Sequence, residues 1–189
     1  LALTKAALSR ARRRDQGLVA SLISRQSSMV SGNSTFSAQR TKEVYGVEAG
    51  ILWPCVDTEE FPAESSGDPE NPYSGEDEYV TSIGRASFAK GTWETISMLS
   101  GTDLSLAHVG GGEEGEIASL EAHAESCGVG LWVAPRLTSP ELVSLMRSSR
   151  AIVSMAHKES FGLTPIEAFA VGTPALFVDE GGFRDTIVD

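Results

Sequence analysis

Residues 151–171, AIVSMAHKESFGLTPIEAFAV, decide the fold. The apolar run at 151–155 predicts a buried strand, and the apolar spacing at 165–171 predicts a helix. A polar loop containing Glu159 lies between them. A strand, a loop and a helix in this order form half of a βαβ unit, so the segment predicts a parallel sheet covered by helices.

The same alternation continues on both sides of this segment. Strands are predicted at 79–83, 104–109, 130–134 and 175–178, and helices at 90–99, 113–126, 140–148 and from 183 onward. This pattern predicts the α/β class, with a Rossmann-like parallel sheet and helices on both faces. Ligands of such sheets bind at the carboxyl ends of the strands, so the loops there are where a site is expected.

The beginning of the chain differs in charge from the rest. Residues 1–42 carry eight Lys or Arg and one acid, whereas the remainder carries seven bases and 25 acids. We interpret this asymmetry as two pieces with different partners. Within the first 53 residues, helices are predicted at 2–14 and 18–25, separated by Gly17, and at 33–45. Strands are predicted at 28–31 and 51–53. Residues 58–78 are dense in acids, Ser, Pro and Gly, and are predicted to be an exposed acidic loop without a site.

Several features concern location and cofactors. The cluster Arg10, Arg12, Arg13 and Arg14 either contacts an anionic membrane face or forms one solvated helix face. No apolar run approaches the roughly 20 residues that cross a bilayer, and no signal peptide is recognised. We therefore expect a cytoplasmic protein, at the inner membrane face if the cluster binds there. The chain starts without Met, so we expect its true N-terminus to be missing.

The cysteines and histidines show no spacing typical of metal ligands. Cys55 and Cys127 are far apart and belong to no CxxC pair, and His108, His123 and His157 are scattered. We expect no disulfide, no metal site and no other cofactor. No nucleic-acid partner is expected either.

The loop after the first strand of the sheet places Arg85 and Lys90 five residues apart, flanked by Gly84 and Gly91. Two cations at the carboxyl end of a strand bind a diphosphate and neutralise a phosphate leaving group. The alternative is a pair of surface cations that form ordinary salt bridges.

The loop 157–167 offers carboxylates and backbone N–H groups. Thr164 is predicted as a helix N-cap and Glu167 as its capping-box partner. N–H groups at 162–164 would form an anion site, while Glu159 and Glu167 suit paired hydroxyls of a sugar or ribose. Alternatively, Glu167 serves the cap alone and needs no ligand.

Two glycine motifs complete the candidate site. Gly181 and Gly182 follow a strand, where they permit close approach of a ligand or form a plain turn. Residues 110–115 satisfy GxGxxG, but Glu113 and Glu114 would face a pyrophosphate and no acid ends the next strand. Dinucleotide binding is therefore disfavoured.

In this order the motifs resemble family 4 glycosyltransferases, which are retaining enzymes with the GT-B fold. The resemblance runs from about residue 30 onward. It rests on Gly84-Arg85 through Lys90-Gly91, on the turn 109–112, on the EX7E region from Glu159 to Glu167, on Gly172-Thr173-Pro174 and on Gly181-Gly182.

The resemblance implies a metal-independent enzyme that transfers a hexose from a nucleotide-diphosphate sugar to a lipid-linked or saccharide acceptor. Arg85, Lys90 and Glu159 would be catalytic. The donor-binding residues would be Gly84, Arg136, Leu137, Phe161, Gly162, Leu163, Thr164, Glu167, Gly181 and Gly182.

The resemblance also implies a division of the chain. Residues 1–48 would end an acceptor domain whose main part is missing, and 49–189 would form the donor-binding domain, the C-terminal half of a GT-B fold, truncated at its end. We expect this piece alone to be inactive. A nucleotide-sugar epimerase of the same fold and a non-catalytic nucleotide-sugar-binding module are the alternatives.

Overall fold

The computed structural model describes residues 2–25, 28–64 and 67–187. The chain divides into two compact units, Leu1–Pro54 and Cys55–Asp189. Each unit is described by itself.

The first unit consists of two helices and a small parallel sheet. Helix α1 spans Ala2–Ile23 without a break, so the prediction of two helices separated by Gly17 is wrong. A glycine inside a helix costs only about 1 kcal/mol relative to alanine, which the rest of a long helix offsets. Strand β1 (Ser31–Gly32) pairs with β2 (Gly50–Ile51). Between them lies α2 (Thr35–Tyr45), whose first turn is capped by the Ser34 hydroxyl.

The basic cluster of the first unit lies on α1, where Arg10, Arg12, Arg13 and Arg14 are all exposed. Its contact with an anionic membrane stays a prediction. Among the described residues, no helix has the length and apolar character that crossing a membrane requires.

The second unit follows the predicted alternation. Its strands are β3 (Tyr79–Ile83), β4 (Ser105–Val109), β5 (Leu131–Ala134), β6 (Ile152–Ser154) and β7 (Ala175–Phe177). Its helices are α3 (Thr92–Leu99), α4 (Glu114–Cys127), α5 (Ser139–Ser148), α6 (Thr164–Ala170) and α7 (Phe183–Thr186), and a 3-10 turn spans Phe88–Lys90.

The five strands form one parallel sheet in the order β5-β4-β3-β6-β7. Helices α3 and α4 pack on one face, where Ile96 and Leu120 meet Val80 of β3. Helices α5 and α6 pack on the other, where Met146 and Ala168 meet Ile152 of β6. This is the predicted Rossmann-like α/β sheet. The order reverses direction between β3 and β6, and such switch points are where ligands bind in these folds.

The acidic stretch has a more definite position than predicted. Phe61 is buried among side chains of α5, α6 and β6. Arg147 of α5 binds the carboxylate of Asp68 and the carbonyl of Pro62, and the Ser144 hydroxyl donates to the Pro69 carbonyl at 2.9 Å. The stretch contains no helix or strand among its described residues, but these contacts hold it against α5.

Helix α5 begins with a reciprocal capping box between Thr138 and Glu141, but the predicted cap of α6 is wrong. At α6 the N-cap residue is Leu163, which has helical backbone angles and makes no side-chain cap hydrogen bond. Thr164 is therefore the first residue of the helix, and Glu167 does not close a capping box.

Candidate functional site

The loops after β3 and β4 touch closely at the carboxyl edge of the sheet. The Gly84 N–H donates to the Val109 carbonyl at 2.8 Å. Gly110 has a φ of 127°, and a Cβ added there would lie 2.5 Å from the Gly84 oxygen. Only glycine fits such a contact in this conformation. The two loops can therefore approach each other and form one wall of a cleft.

A cavity of about 360 Å³ opens beside this wall. It brings together four predicted residues, Gly84, Arg85, Arg136 and Leu137, with Ser139 at the start of α5. Two arginines, Arg85 and Arg136, line this cavity, and a guanidinium group suits phosphate oxygens. Its location at the carboxyl ends of β3, β4 and β5 is the one expected from the sequence.

Lys90 and Glu159 join the loops after β3 and β6. The Lys90 Nζ atom lies 2.6 Å from Oε2 of Glu159, and the two side chains are 40% and 21% exposed. The aliphatic part of Lys90 packs over Gly84, whose position leaves room for it. The cation and the carboxylate, predicted separately, therefore form one ion pair at the switch point of the sheet.

The environment of Glu159 favours its charged form. Burial by itself raises the pKa of this carboxyl group, but the hydrogen bond and charge of Lys90 and the Ser160 N–H outweigh burial and leave the pKa below its ordinary value. Glu159 is thus a carboxylate near neutral pH, ready to accept hydroxyl hydrogen bonds.

The predicted glycine pair packs against the same loop. The Gly182 N–H donates to the Glu159 carbonyl at 2.8 Å. A Cβ at Gly181 would lie 2.6 Å from that carbonyl oxygen, and a Cβ at Gly182 would lie 2.4 Å from the Ser160 oxygen. The two glycines are therefore needed for contact with the backbone of the Glu159 loop. Their direct contact with a ligand stays a prediction.

Of the remaining predicted donor-binding residues, Phe161 is 4% exposed, so its side chain belongs to the core and only its backbone is available. Gly162 has a φ of 87° and lies against the Phe183 ring. Leu163 is 40% exposed and Thr164 is half-buried at the start of α6. These positions leave backbone groups, more than side chains, for a ligand.

Glu167 is half-buried on the first turn of α6. Burial raises its pKa, and the nearby charge of Glu60 raises it further. Glu60 belongs to the acidic stretch, and its carboxylate accepts a hydrogen bond from Ser139, which lines the cavity. A second carboxylate, that of Glu60, therefore acts on Glu167, although the composition of 58–78 predicts a loop without a site.

A buried histidine lies under the loops. His108 of β4 is 1% exposed, and its Nδ1 is 2.8 Å from the Ser82 hydroxyl of β3. Burial lowers its pKa, although the Gly111 backbone partly opposes this shift. The ring is therefore neutral near pH 7.

Metal ligands were not predicted. In the parts of the chain that the structure describes, no three His, Cys, Asp or Glu side chains are grouped to hold a metal ion. Independence from metals stays a prediction.

Two of the residues at this edge are not predicted from the sequence. His157 contacts Glu94 and Glu180, and Glu60 lies near Glu167. Their partners are distant along the chain, so no local pattern could have indicated them. The only signal for Glu60 was its place just before a large apolar residue, Phe61, inside an otherwise polar stretch.

A parallel sheet with helices on both faces and charged side chains at its switch point defines a Rossmann-like α/β domain. Residues 67–189 match the model of the family described as glycosyl transferases group 1. The chain belongs to this family, whose members have the GT-B type of fold.

Individual relatives agree with this assignment. The chain is 34% identical over 91 residues to a D-inositol 3-phosphate glycosyltransferase of Xylanimonas cellulosilytica, covering 46% of the chain and 22% of that protein. It is 28% identical over 114 residues to a glycogen synthase of Mycobacterium tuberculosis, covering 57% of the chain and 27% of the relative. The matched stretch thus spans about a quarter of these proteins.

Among solved structures, Anabaena Alr3699/HepE in complex with UDP and glucose superposes with a TM-score of 0.73. The match covers 93% of this chain and 51% of that one, at 16% identity. A likeness at this identity supports the fold alone.

Proposed function

We propose that this chain is the donor-binding part of a retaining family 4 glycosyltransferase. The enzyme would transfer a hexose from a nucleotide-diphosphate sugar to a lipid-linked or saccharide acceptor, without a metal ion. The observation that carries the proposal is the Lys90–Glu159 ion pair, which unites a phosphate-binding cation and a hydroxyl-binding carboxylate at the switch point.

Each side chain has a role that follows from its chemistry. Arg85 and Lys90 bind the diphosphate and neutralise the charge that develops on it as the bond to the sugar breaks. Glu159 accepts hydrogen bonds from hydroxyls of the transferred sugar, and Glu167 from the ribose. Arg136 and Leu137, which line the cavity, flank the base.

The acceptor would be bound by the part of the enzyme outside this chain. A GT-B enzyme closes two domains over its donor, so we expect this piece to bind the donor but not to turn it over. The relatives differ by name, a D-inositol 3-phosphate glycosyltransferase and a glycogen synthase, which agrees with an acceptor chosen elsewhere in the protein.

Calorimetric titration with UDP, GDP and ADP tests the proposal. We expect at least one of them to bind the wild-type chain, and Lys90→Ala to weaken that affinity by about tenfold or more. The matched control is Arg150→Ala. Arg150 is an exposed cation just before β6, and its N–H donates to the carbonyl of Tyr79 at the amino end of β3, so it lies at the opposite edge of the sheet. Equal affinities of the wild type and Lys90→Ala would contradict the site.

A further inference from the structure

His157 lies two residues before Glu159 and touches elements from three other parts of the chain. Its backbone N–H donates to the Ala89 carbonyl at 3.0 Å. Its ring stacks on Phe88, with 6.1 Å between the ring centroids and 23° between the planes. Both contacts are made to the 3-10 turn that carries Lys90. His157 therefore links the loop of Glu159 to the turn of Lys90.

The two ring nitrogens of His157 face two carboxylates. Nε2 lies 3.7 Å from Oε1 of Glu94 on α3, and Nδ1 lies 3.5 Å from Oε2 of Glu180 in the loop after β7. The other oxygen of Glu94 is buried and has no hydrogen-bond partner among the described residues. A neutral imidazole donates one hydrogen bond, whereas an imidazolium donates two. The charged ring can therefore bridge both carboxylates.

The backbone between His157 and Glu159 has an unusual conformation. Lys158 has a φ of 54°, which makes it the one non-glycine residue with positive φ in the described part of the chain. A non-glycine residue in this region is strained and persists only where its surroundings hold it. Lys158 is held on one side by the contacts of His157. On the other side, the Gly182 N–H donates a hydrogen bond to the Glu159 carbonyl.

We propose that His157 is a positioning residue, which holds Glu159 against Lys90 by joining the 3-10 turn, α3 and the loop after β7. Any effect of this role on donor binding rests on the proposed function. The charged groups around the ring are Glu94 on α3, Glu180 after β7, and Lys90, Lys158 and Glu159 of the two joined loops. Two of these carboxylates, those of Glu94 and Glu180, face the ring nitrogens directly.

The first test needs no ligand. Carbon-13 NMR titration of the Glu159 carboxyl group in the free protein reports how firmly Lys90 holds it. We expect its apparent pKa to rise toward the ordinary value in His157→Ala and in His157→Phe, which keeps the ring stack but removes both nitrogens. The matched control is His123→Ala, since His123 also stacks on an aromatic ring, that of Trp93 at 3.8 Å. An unchanged Glu159 titration in both His157 variants would overturn the proposal.

The second test uses UDP, the nucleotide in the HepE complex, as the probe. The dissociation constants of His157→Phe and wild type are measured at the same pH, near neutrality. We expect about a tenfold weakening in His157→Phe. Equal dissociation constants, in variants that melt like the wild type, would overturn the role.

The two tests separate the two proposals. If the wild type binds no nucleoside diphosphate, the proposed function fails, while the Glu159 titration still decides the role of His157. If the wild type binds and only the His123→Ala control changes the Glu159 titration, the proposal for His157 fails and the donor site stands.

Discussion

The Nζ atom of Lys90 and the Oε2 atom of Glu159 lie 2.6 Å apart, although the residues belong to loops that follow different strands. Each residue stands at the carboxyl end of its strand, and β3 and β6 are neighbours in the sheet. The order of the strands, rather than any local pattern, therefore creates the pair.

This pair is expected to matter more for ligand binding than for stability. Because Lys90 is 40% exposed, water screens the attraction, and a double-mutant cycle with Lys90→Met and Glu159→Gln should give a coupling of about 1 kcal/mol or less in the free energy of unfolding. Urea denaturation of the four proteins measures it. A coupling of several kcal/mol would show that the pair is mainly structural.

Gly110 is expected to tolerate no side chain. Its φ of 127° and the 2.5 Å approach of the Gly84 oxygen to an added Cβ predict that Gly110→Ala lowers the free energy of unfolding by about 2 kcal/mol. Gly115→Ala is the control, because Gly115 lies in α4 with nothing within 4 Å of an added Cβ. Gly115→Ala should raise the free energy of unfolding by about 0.5–1 kcal/mol. Equal effects in urea denaturation would contradict the close contact.

Glu60 is expected to raise the pH at which affinity for the donor begins to fall on acidification. Burial and the charge of Glu60 raise the pKa of Glu167, and the ribose hydroxyls need the carboxylate form. Affinity therefore falls as the pH drops through this raised pKa. Glu60→Gln removes one cause, so the loss of affinity should begin at lower pH, as measured by calorimetry with UDP. The neighbouring Glu59→Gln should behave like the wild type, and an identical shift in both variants would exclude a specific effect.

His108 is expected to make the protein less stable in mild acid. Its folded-state pKa is lowered by burial from the ordinary 6.5, so below about pH 6.5 the unfolded chain takes up a proton that the folded chain does not. The free energy of unfolding then falls with decreasing pH, by up to about 1.4 kcal/mol per pH unit, until the folded ring titrates.

Urea denaturation at several pH values tests this expectation. His108→Leu should flatten the slope, whereas His123→Ala, which removes the histidine that stacks on Trp93, should keep it. A slope that persists in His108→Leu would assign the pH dependence to other groups.

The alternation of strands and helices was predictable because each element carries a strong apolar pattern. All five strands of the second unit appear where expected, although β6 spans only Ile152–Ser154. The features that the sequence could not indicate depend on tertiary contacts. The Thr164–Glu167 spacing fits a capping box. However, Leu163 already has helical backbone angles, so Thr164 lies inside α6 and does not cap it.

The acidic stretch illustrates the same limit. Its composition indicates an exposed loop, and most of its residues are indeed exposed. A single large apolar side chain, that of Phe61, nevertheless enters the core, and the neighbouring Glu60 accepts a hydrogen bond from Ser139, which lines the cavity. Burial of one phenyl ring contributes about 2 kcal/mol, which is enough to fix a short polar segment.

The order β5-β4-β3-β6-β7 has a consequence for synthesis on the ribosome. Strand β3 can pair with β4 soon after both emerge, but its second partner, β6, is made much later in the chain. Until then one edge of the central strand presents unpaired N–H and C=O groups, which are a template for association with other chains. We therefore expect nascent chains that stall before residue 152 to depend on chaperones more than chains that have passed it.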